Sequence, residues 1–189
     1  MELLDITSKS EYLDEIERIY MDSFPEIERM NFEDVANRKS PNSELLGAFN
    51  EDKLIGFTYV SVASEYAYII YLAIDKNERN KNLGSQVLEK IDDLFKDKTK
   101  VLCVEKPESA DDIPTRRINF YKRNGFTLAD FEFEYLGQYY YSMYNGAFDK
   151  QKFVDFLLTC FPGCKDFKEI RDYNMEFGLV NKNNIEKAI

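Results

Sequence analysis

From Arg79 to Ser85 the chain reads Arg-Asn-Lys-Asn-Leu-Gly-Ser, with two positive charges, at Arg79 and Lys81, on a stretch of small and loop-forming residues. An amphipathic helix begins directly behind it. The first turn of a helix carries backbone N–H groups without an intrahelical acceptor and the positive end of the peptide dipoles, so a loop without bulk at this point can wrap a phosphate. Arg79 and Lys81 add full charges to that cradle. A second stretch with chemical potential lies downstream at Arg116-Arg117-Ile118-Asn119-Phe120-Tyr121-Lys122-Arg123-Asn124-Gly125-Phe126, where an aromatic pair sits among four cations.

The loop needs a rigid element on each side. Ahead of it, Ala67-Tyr68-Ile69-Ile70-Tyr71-Leu72-Ala73-Ile74 is β-branched and aromatic on both faces, the pattern of a strand buried inside a sheet. Behind it, Leu83, Val87, Leu88, Ile91, Leu94 and Phe95 recur at spacings of three and four and so share one helical face.

At these residues the chain resembles the GCN5-related N-acetyltransferases (GNAT). Their acyl-CoA signature is Arg/Gln-x-x-Gly-x-Gly/Ala; Arg79 stands in its first place and Gly84 in its last, with Asn82 where the family has a middle glycine. Asn is among the few residues other than glycine that adopt a left-handed conformation, so the loop can still form. The downstream stretch resembles the family's Phe-Tyr-x-x-x-Gly-Phe segment. The resemblance implies an acetyl-CoA co-substrate held by the backbone of Leu72 and Ile74, by the loop residues Arg79, Asn80, Lys81, Asn82, Leu83, Gly84 and Ser85, and by Asn119 and Tyr121. It also implies that the strand ending at Ile74 splays from its neighbour to admit the pantetheine arm. Pro114 stands near the place where the family commonly has an asparagine at the start of the following helix.

Tyr121 aligns with the family's tyrosine that protonates the departing thiolate, and phenol and thiol have comparable ordinary pKa values of about 10 and 8.5. The acceptor would be a primary amine. With a pKa near 10.4, about one amine in a few thousand is neutral at pH 7, so attack requires a base or a water chain. Glu105 alternates with Val101 and Cys103 at the end of an apolar strand and is the candidate base, or an anchor for the acceptor. Glu26 and Glu28, in the connection that borders the family's acceptor pocket, are candidates for holding an ammonium group.

With 44% hydrophobic residues over 189, the chain can build one well-buried core, and disorder is not expected over most of it. A formal net charge of −10 opposes nucleic acid and anionic membranes as partners, so the implied partner is a small-molecule or peptide amine, favourably a cationic one. Cys103, Cys160 and Cys164 are odd in number, and with no His the pair Cys160 and Cys164 lacks a full ligand set, so neither disulfides nor a metal is expected. No long uncharged apolar run occurs, and a cytoplasmic monomer or homodimer is the expectation.

The element order expected is a strand over Met1–Thr7, a helix with a Ser8/Glu11 capping box, a second helix through Ile27, Met30 and Val35, three strands, a helix, a strand, a helix and two strands. That order is the one expected of a GNAT fold, α/β (α+β), with a mixed, mostly antiparallel twisted sheet of about seven strands flanked by helices. The domain is expected over 1–145, with a helical extension over 146–189 packed on it or at a dimer interface. Two functions are compatible with these residues: N-acetyl transfer by direct attack, and a non-catalytic acyl-CoA-binding module.

Overall fold

The structure is a computed structural model that describes residues 1–6, 10–40 and 42–170. Its strands and helices, in chain order, are β1 (Glu2–Asp5), α1 (Leu13–Ser23), a 3-10 turn (Glu26–Glu28), α2 (Phe32–Ala36), β2 (Ser43–Asn50), β3 (Lys53–Ala63) and β4 (Tyr66–Ile74). There follow α3 (Leu83–Leu94), β5 (Thr99–Glu105), α4 (Ile113–Arg123), β6 (Thr127–Tyr135), β7 (Gln138–Asn145), α5 (Lys150–Cys160) and β8 (Lys165–Glu169). Among the described residues eight strands thus form a mixed sheet with five α-helices. Two compact units divide the chain: Met1–Leu102 with Gly146–Phe156, and Cys103–Asn145 with the described residues from Leu157 on.

In the first unit the strand order is β1-β2-β3-β4-β5, antiparallel except for the parallel pair β4 and β5. The pairing of β4 with β3 runs from Tyr66 to Ile74, with a bulge that leaves Ile70 as the extra residue between Tyr71 and Ile69. The ladder to β5 covers only Tyr66, Ala67 and Tyr68, so the β5-facing edge of Tyr71–Ile74 lies outside it. Tyr20 of α1, Phe57 of β3 and Tyr71 of β4 meet edge to face in the core, with Tyr20 and Tyr71 ring centroids 5.0 Å apart. From the C-terminal part, Phe153 is fully buried against Tyr66, and the Tyr66 hydroxyl donates to the Asp149 carbonyl at 2.9 Å.

In the second unit the order is β5-β7-β6-β8. Phe131, Phe133 and Tyr141 are buried there, and Phe167 of β8 stacks on Phe133 at 5.7 Å.

Two expectations change. The helix expected through Ile27, Met30 and Val35 is broken into the 3-10 turn and the short α2, because Asn31 starts a new helix by accepting the Glu33 N–H at 2.9 Å. Among the described residues of the C-terminal extension α5 is the helix, and Lys165–Glu169 adds an eighth strand against β6. Ser8 of the expected capping box and positions 171–189 of the expected extension fall outside the described residues.

Candidate functional site

The residues singled out from the sequence fall into two groups, one in each unit. In the first unit β4 ends at Ile74 and Asp75 begins the loop. The Asp75 carboxylate is 7% exposed and is held by Arg18 of α1 and by the Asn77 N–H at 2.8 Å, while the Glu78 N–H bonds the Asp75 carbonyl at 2.8 Å. Burial disfavours its charge, but the Arg18 guanidinium and the Asn77 N–H outweigh burial and keep its carboxyl below the usual carboxylate range. Asp75 therefore fixes the loop's entry; an acidic residue at the end of an apolar strand was the sequence signal for it.

Asn80 and Asn82 both adopt the left-handed conformation, at φ 66° and 59°. Asn82 is the N-cap of α3, but its side chain makes no capping bond, and the first turn of α3 contains no acidic residue. In the same chain Asn31 and Asp112 do cap their helices with side chains. The turn through Leu83, Gly84 and Ser85 thus keeps its donors uncapped by any side chain, which fits an anion such as a pyrophosphate.

The cations sit differently from the simple cradle. Arg79 folds back, donating through Nε to the Ile74 carbonyl at 3.1 Å and through Nη2 to Ser23 Oγ at 3.1 Å. Lys81 pairs with Glu78 at 2.8 Å, and Glu78 pairs also with Lys53 at 2.6 Å. Arg79 consequently braces the loop against β4 and α1 with two of its five donors, and the others stay available to a ligand. Leu72 and Ile74 are half-buried instead of fully enclosed core side chains.

Tyr71 was not anticipated. Its hydroxyl donates to the Glu28 carbonyl at 2.8 Å and accepts the Met30 N–H at 2.9 Å, so β4 sets the path of the α1–α2 connection. Glu26, exposed, lines a cleft of about 740 Å³ with Asp14, Glu17 and Glu33 over an apolar floor that includes Met30 and Phe32; Arg29 is the cation among its lining residues. No ion pair engages these four carboxylates among the described residues. Glu28 is not among the residues lining it.

In the second unit Asp112 caps α4. One oxygen accepts the Thr115 N–H at 2.7 Å, and the other accepts the N–H groups of Glu108 at 2.7 Å and Ser109 at 2.9 Å. Burial opposes the charge of Asp112, yet these three donors pull its carboxyl down to about 2. Pro114 occupies the first turn, where a missing N–H is harmless. The far end of α4 explains the aromatic segment. Phe126 N–H reaches the Tyr121 carbonyl at 3.0 Å and Gly125 N–H the Lys122 carbonyl at 3.2 Å, with Gly125 at φ 83°. This is a Schellman ending, and the Phe126 ring packs on Tyr121 with centroids 5.6 Å apart. Gly125 and Phe126 therefore hold Tyr121 in place.

Tyr121 is half-buried on α4, as is Asn119. Burial pushes its hydroxyl up to about 12; Arg117 opposes the rise and Glu105 adds to it. Burial thus makes the hydroxyl a weaker acid than an ordinary phenol. Glu105, at the end of β5, lies in an ion pair with Arg117 at 2.5 Å.

Among the described residues no group of three or more Cys, Asp and Glu is placed to hold a metal ion, and no helix is long and apolar enough to cross a membrane.

Comparisons with known proteins bear on this geometry. The sequence model of the acetyltransferase (GNAT) family matches residues 13–126, and the chain belongs to that family. Its fold matches a protein from Bacteroides thetaiotaomicron assigned to the GNAT acetyltransferases, at 28% identity and a TM-score of 0.72, over 84% of this chain and 97% of the other. It also resembles the PaiA N-acetyltransferase of Thermoplasma acidophilum, solved with coenzyme A, at 20% identity and a TM-score of 0.53, over 77% and 98% of the two chains. A third likeness is to the aminoglycoside 6'-N-acetyltransferase of Enterococcus faecium, at 13% identity and a TM-score of 0.60, over 79% and 100%. A search of curated proteins found no match.

Proposed function

We propose that the protein transfers an acetyl group from acetyl-CoA to a primary amine of a small molecule or peptide, by direct attack and without a covalent enzyme intermediate. The observation that carries this reading is the turn from Asn82 to Ser85, a helix start without a side-chain cap that follows the cations Arg79 and Lys81 and is shaped by the left-handed Asn80 and Asn82. Family membership supports it, and so do relatives solved with coenzyme A.

Acetyl-CoA supplies an activated acyl group and a thiol leaving group. Its pyrophosphate is taken by the N–H groups of Leu83, Gly84 and Ser85, with Asn80, Lys81, Asn82 and the remaining donors of Arg79 around it. The β5-facing backbone of Leu72 and Ile74 serves the pantetheine amides and polarises the thioester carbonyl as its oxygen gains charge. Asn119 contacts the cofactor from α4. Tyr121 donates its hydroxyl proton to the departing sulfur. Cys103 has no His anywhere in the chain to activate it, which favours the direct route.

The acceptor in this reading is cationic. Four carboxylates without ion pairs around one cleft raise the local concentration of ammonium groups, and Glu26 is the anchor in this reading. Glu28 serves through its carbonyl, which fixes Tyr71. Glu105, held by Arg117, is a positioned charge for the amine or its relay of water. The protein acts as a soluble cytoplasmic enzyme, as a monomer or homodimer, with residues 1–145 as the catalytic domain and 146–189 as an extension.

Calorimetric titration with acetyl-CoA, followed by CoA release measured against a panel of mono-, di- and polyamines and lysine peptides, tests the proposal. Binding and turnover are expected, with multiply charged amines preferred. Binding without turnover on any amine would replace the enzyme by an acyl-CoA-binding module, and absence of both would remove the cofactor.

A further inference from the structure

The Tyr121 hydroxyl is a weak acid where it stands, and the charge that offsets this weakness comes from its own helix. Arg117 precedes Tyr121 by four residues, so the two share a face of α4 with their Cβ atoms about 5–6 Å apart. Glu105 of β5 pins Arg117 at 2.5 Å, and the Arg117 and Glu105 side chains are only 32% and 21% exposed, so the pair is partly shielded from solvent. Arg117 and Glu105 are also the two charges that act on the Tyr121 hydroxyl.

We propose that Arg117 is a positioning residue for acetyl transfer: fixed by Glu105, it stabilises the phenolate that Tyr121 becomes when it protonates the departing thiolate. The inference rests on the reading of Tyr121 as the proton donor. In the step, the Tyr121 O–H bond breaks and an S–H bond forms, leaving Tyr–O⁻ beside the guanidinium. The proton lost by the attacking amine then returns to the phenolate through solvent, and the enzyme is restored. Glu105 fulfils two opposed functions, holding the guanidinium in place and cancelling part of its charge. The array therefore sets the acidity of Tyr121 by the difference between two neighbours.

The test has two readouts. In the first, 3,5-difluorotyrosine, which ionises at lower pH than tyrosine, is placed at position 121 and its ionisation is followed by fluorine NMR in the full chain without substrate. Arg117→Gln should raise the ionisation pH by about one unit, Arg117→Lys should leave it near the parent value, and Glu105→Gln should lower it. No change in both Arg117→Gln and Glu105→Gln would overturn the proposal, whether or not any amine is acetylated. Glu105→Gln keeps the test decisive where Arg117→Gln fails to fold. In the second readout, single-turnover rates with the best amine of the panel should fall about 10–100-fold in Arg117→Gln, with acetyl-CoA affinity unchanged and the alkaline limb of the pH profile displaced upward. An equal rate and pH profile in Arg117→Gln would refute the role in catalysis even with the NMR shift present. Loss of turnover in all variants and in the parent would instead refute the acetyltransferase reading.

Discussion

A Cβ built on Gly56 would stand 2.2 Å from the carbonyl oxygen of Ala73. Gly56 of β3 pairs with Ile74 at the end of the ladder to β4, beside Ala73, so any side chain at 56 would push β4 away just where it leads into the loop.

Gly56→Ala is accordingly expected to destabilise the protein by about 1–3 kcal/mol, the usual cost of overpacking a rigid backbone contact. Urea unfolding of the two proteins measures this. Acetyl-CoA binding should weaken as well, since the displaced strand carries Leu72 and Ile74; unchanged midpoint and affinity would show that β4 gives way freely.

Gly84→Asp should abolish acetyl-CoA binding, because the carboxylate adds bulk and like charge at the turn proposed for the pyrophosphate. Asn82→Gly should leave binding intact or tighten it, since φ at position 82 is 59°, a conformation that glycine adopts without penalty. Calorimetry on folded variants decides both, and a Gly84→Asp protein of parental affinity would take the loop out of the site.

Tyr121→Phe retains the ring that packs on Phe126 and removes only the hydroxyl. The variant should fold and bind acetyl-CoA as the parent does, while the single-turnover rate falls by about 10²–10⁴. Single-turnover measurement matters here, because slow product release would mask a slowed chemical step. Equal rates would leave thiolate protonation to water.

Asp112 gives a pH dependence of known sign. Its carboxyl titrates near 3.9 in the unfolded chain and at about 2 in the fold, so its contribution is complete above roughly pH 4 and is lost as pH falls towards 2. Asp112→Ala should cost about 1–2 kcal/mol at pH 6, as loss of an N-cap that takes three N–H groups. The gap between the two proteins, read from urea curves, should narrow between pH 4 and 2.5; a constant gap would mean that Asp112 does not act through its charge.

Much of the scaffold was legible because its signals are local. The apolar run into Ile74 and the spacing from Leu83 to Phe95 each depend on neighbours a few residues away, and both elements stand where the pattern put them. Asn82 was readable for the same reason, since a left-handed turn is a property of one residue type.

What escaped reading depends on partners distant in sequence. Arg79 reaches Ser23, 56 residues earlier, and Arg18 reaches Asp75, 57 residues later. Tyr71 redirects the chain at Glu28 and Met30, which is why a helical pattern there yields two short pieces. The acidity of Tyr121 likewise follows from burial and from Glu105 on another element, so unperturbed values could not give it. Strand β8 carries little apolar periodicity; Phe167 alone packs inward, on Phe131 and Phe133.

Lys165, Asp166, Lys168 and Glu169 give that outermost strand an exposed charge at nearly every place. Had the sheet stopped at β6, a nine-residue strand with Phe131 and Phe133 would have offered its open hydrogen-bonding edge to any passing chain. A short ribbon of alternating lysines and acids occupies that edge instead. Neighbouring molecules meet a solvated, electrically patterned rim in place of a sticky template, and the acquisition of five residues guards the protein's colloidal independence as much as its fold.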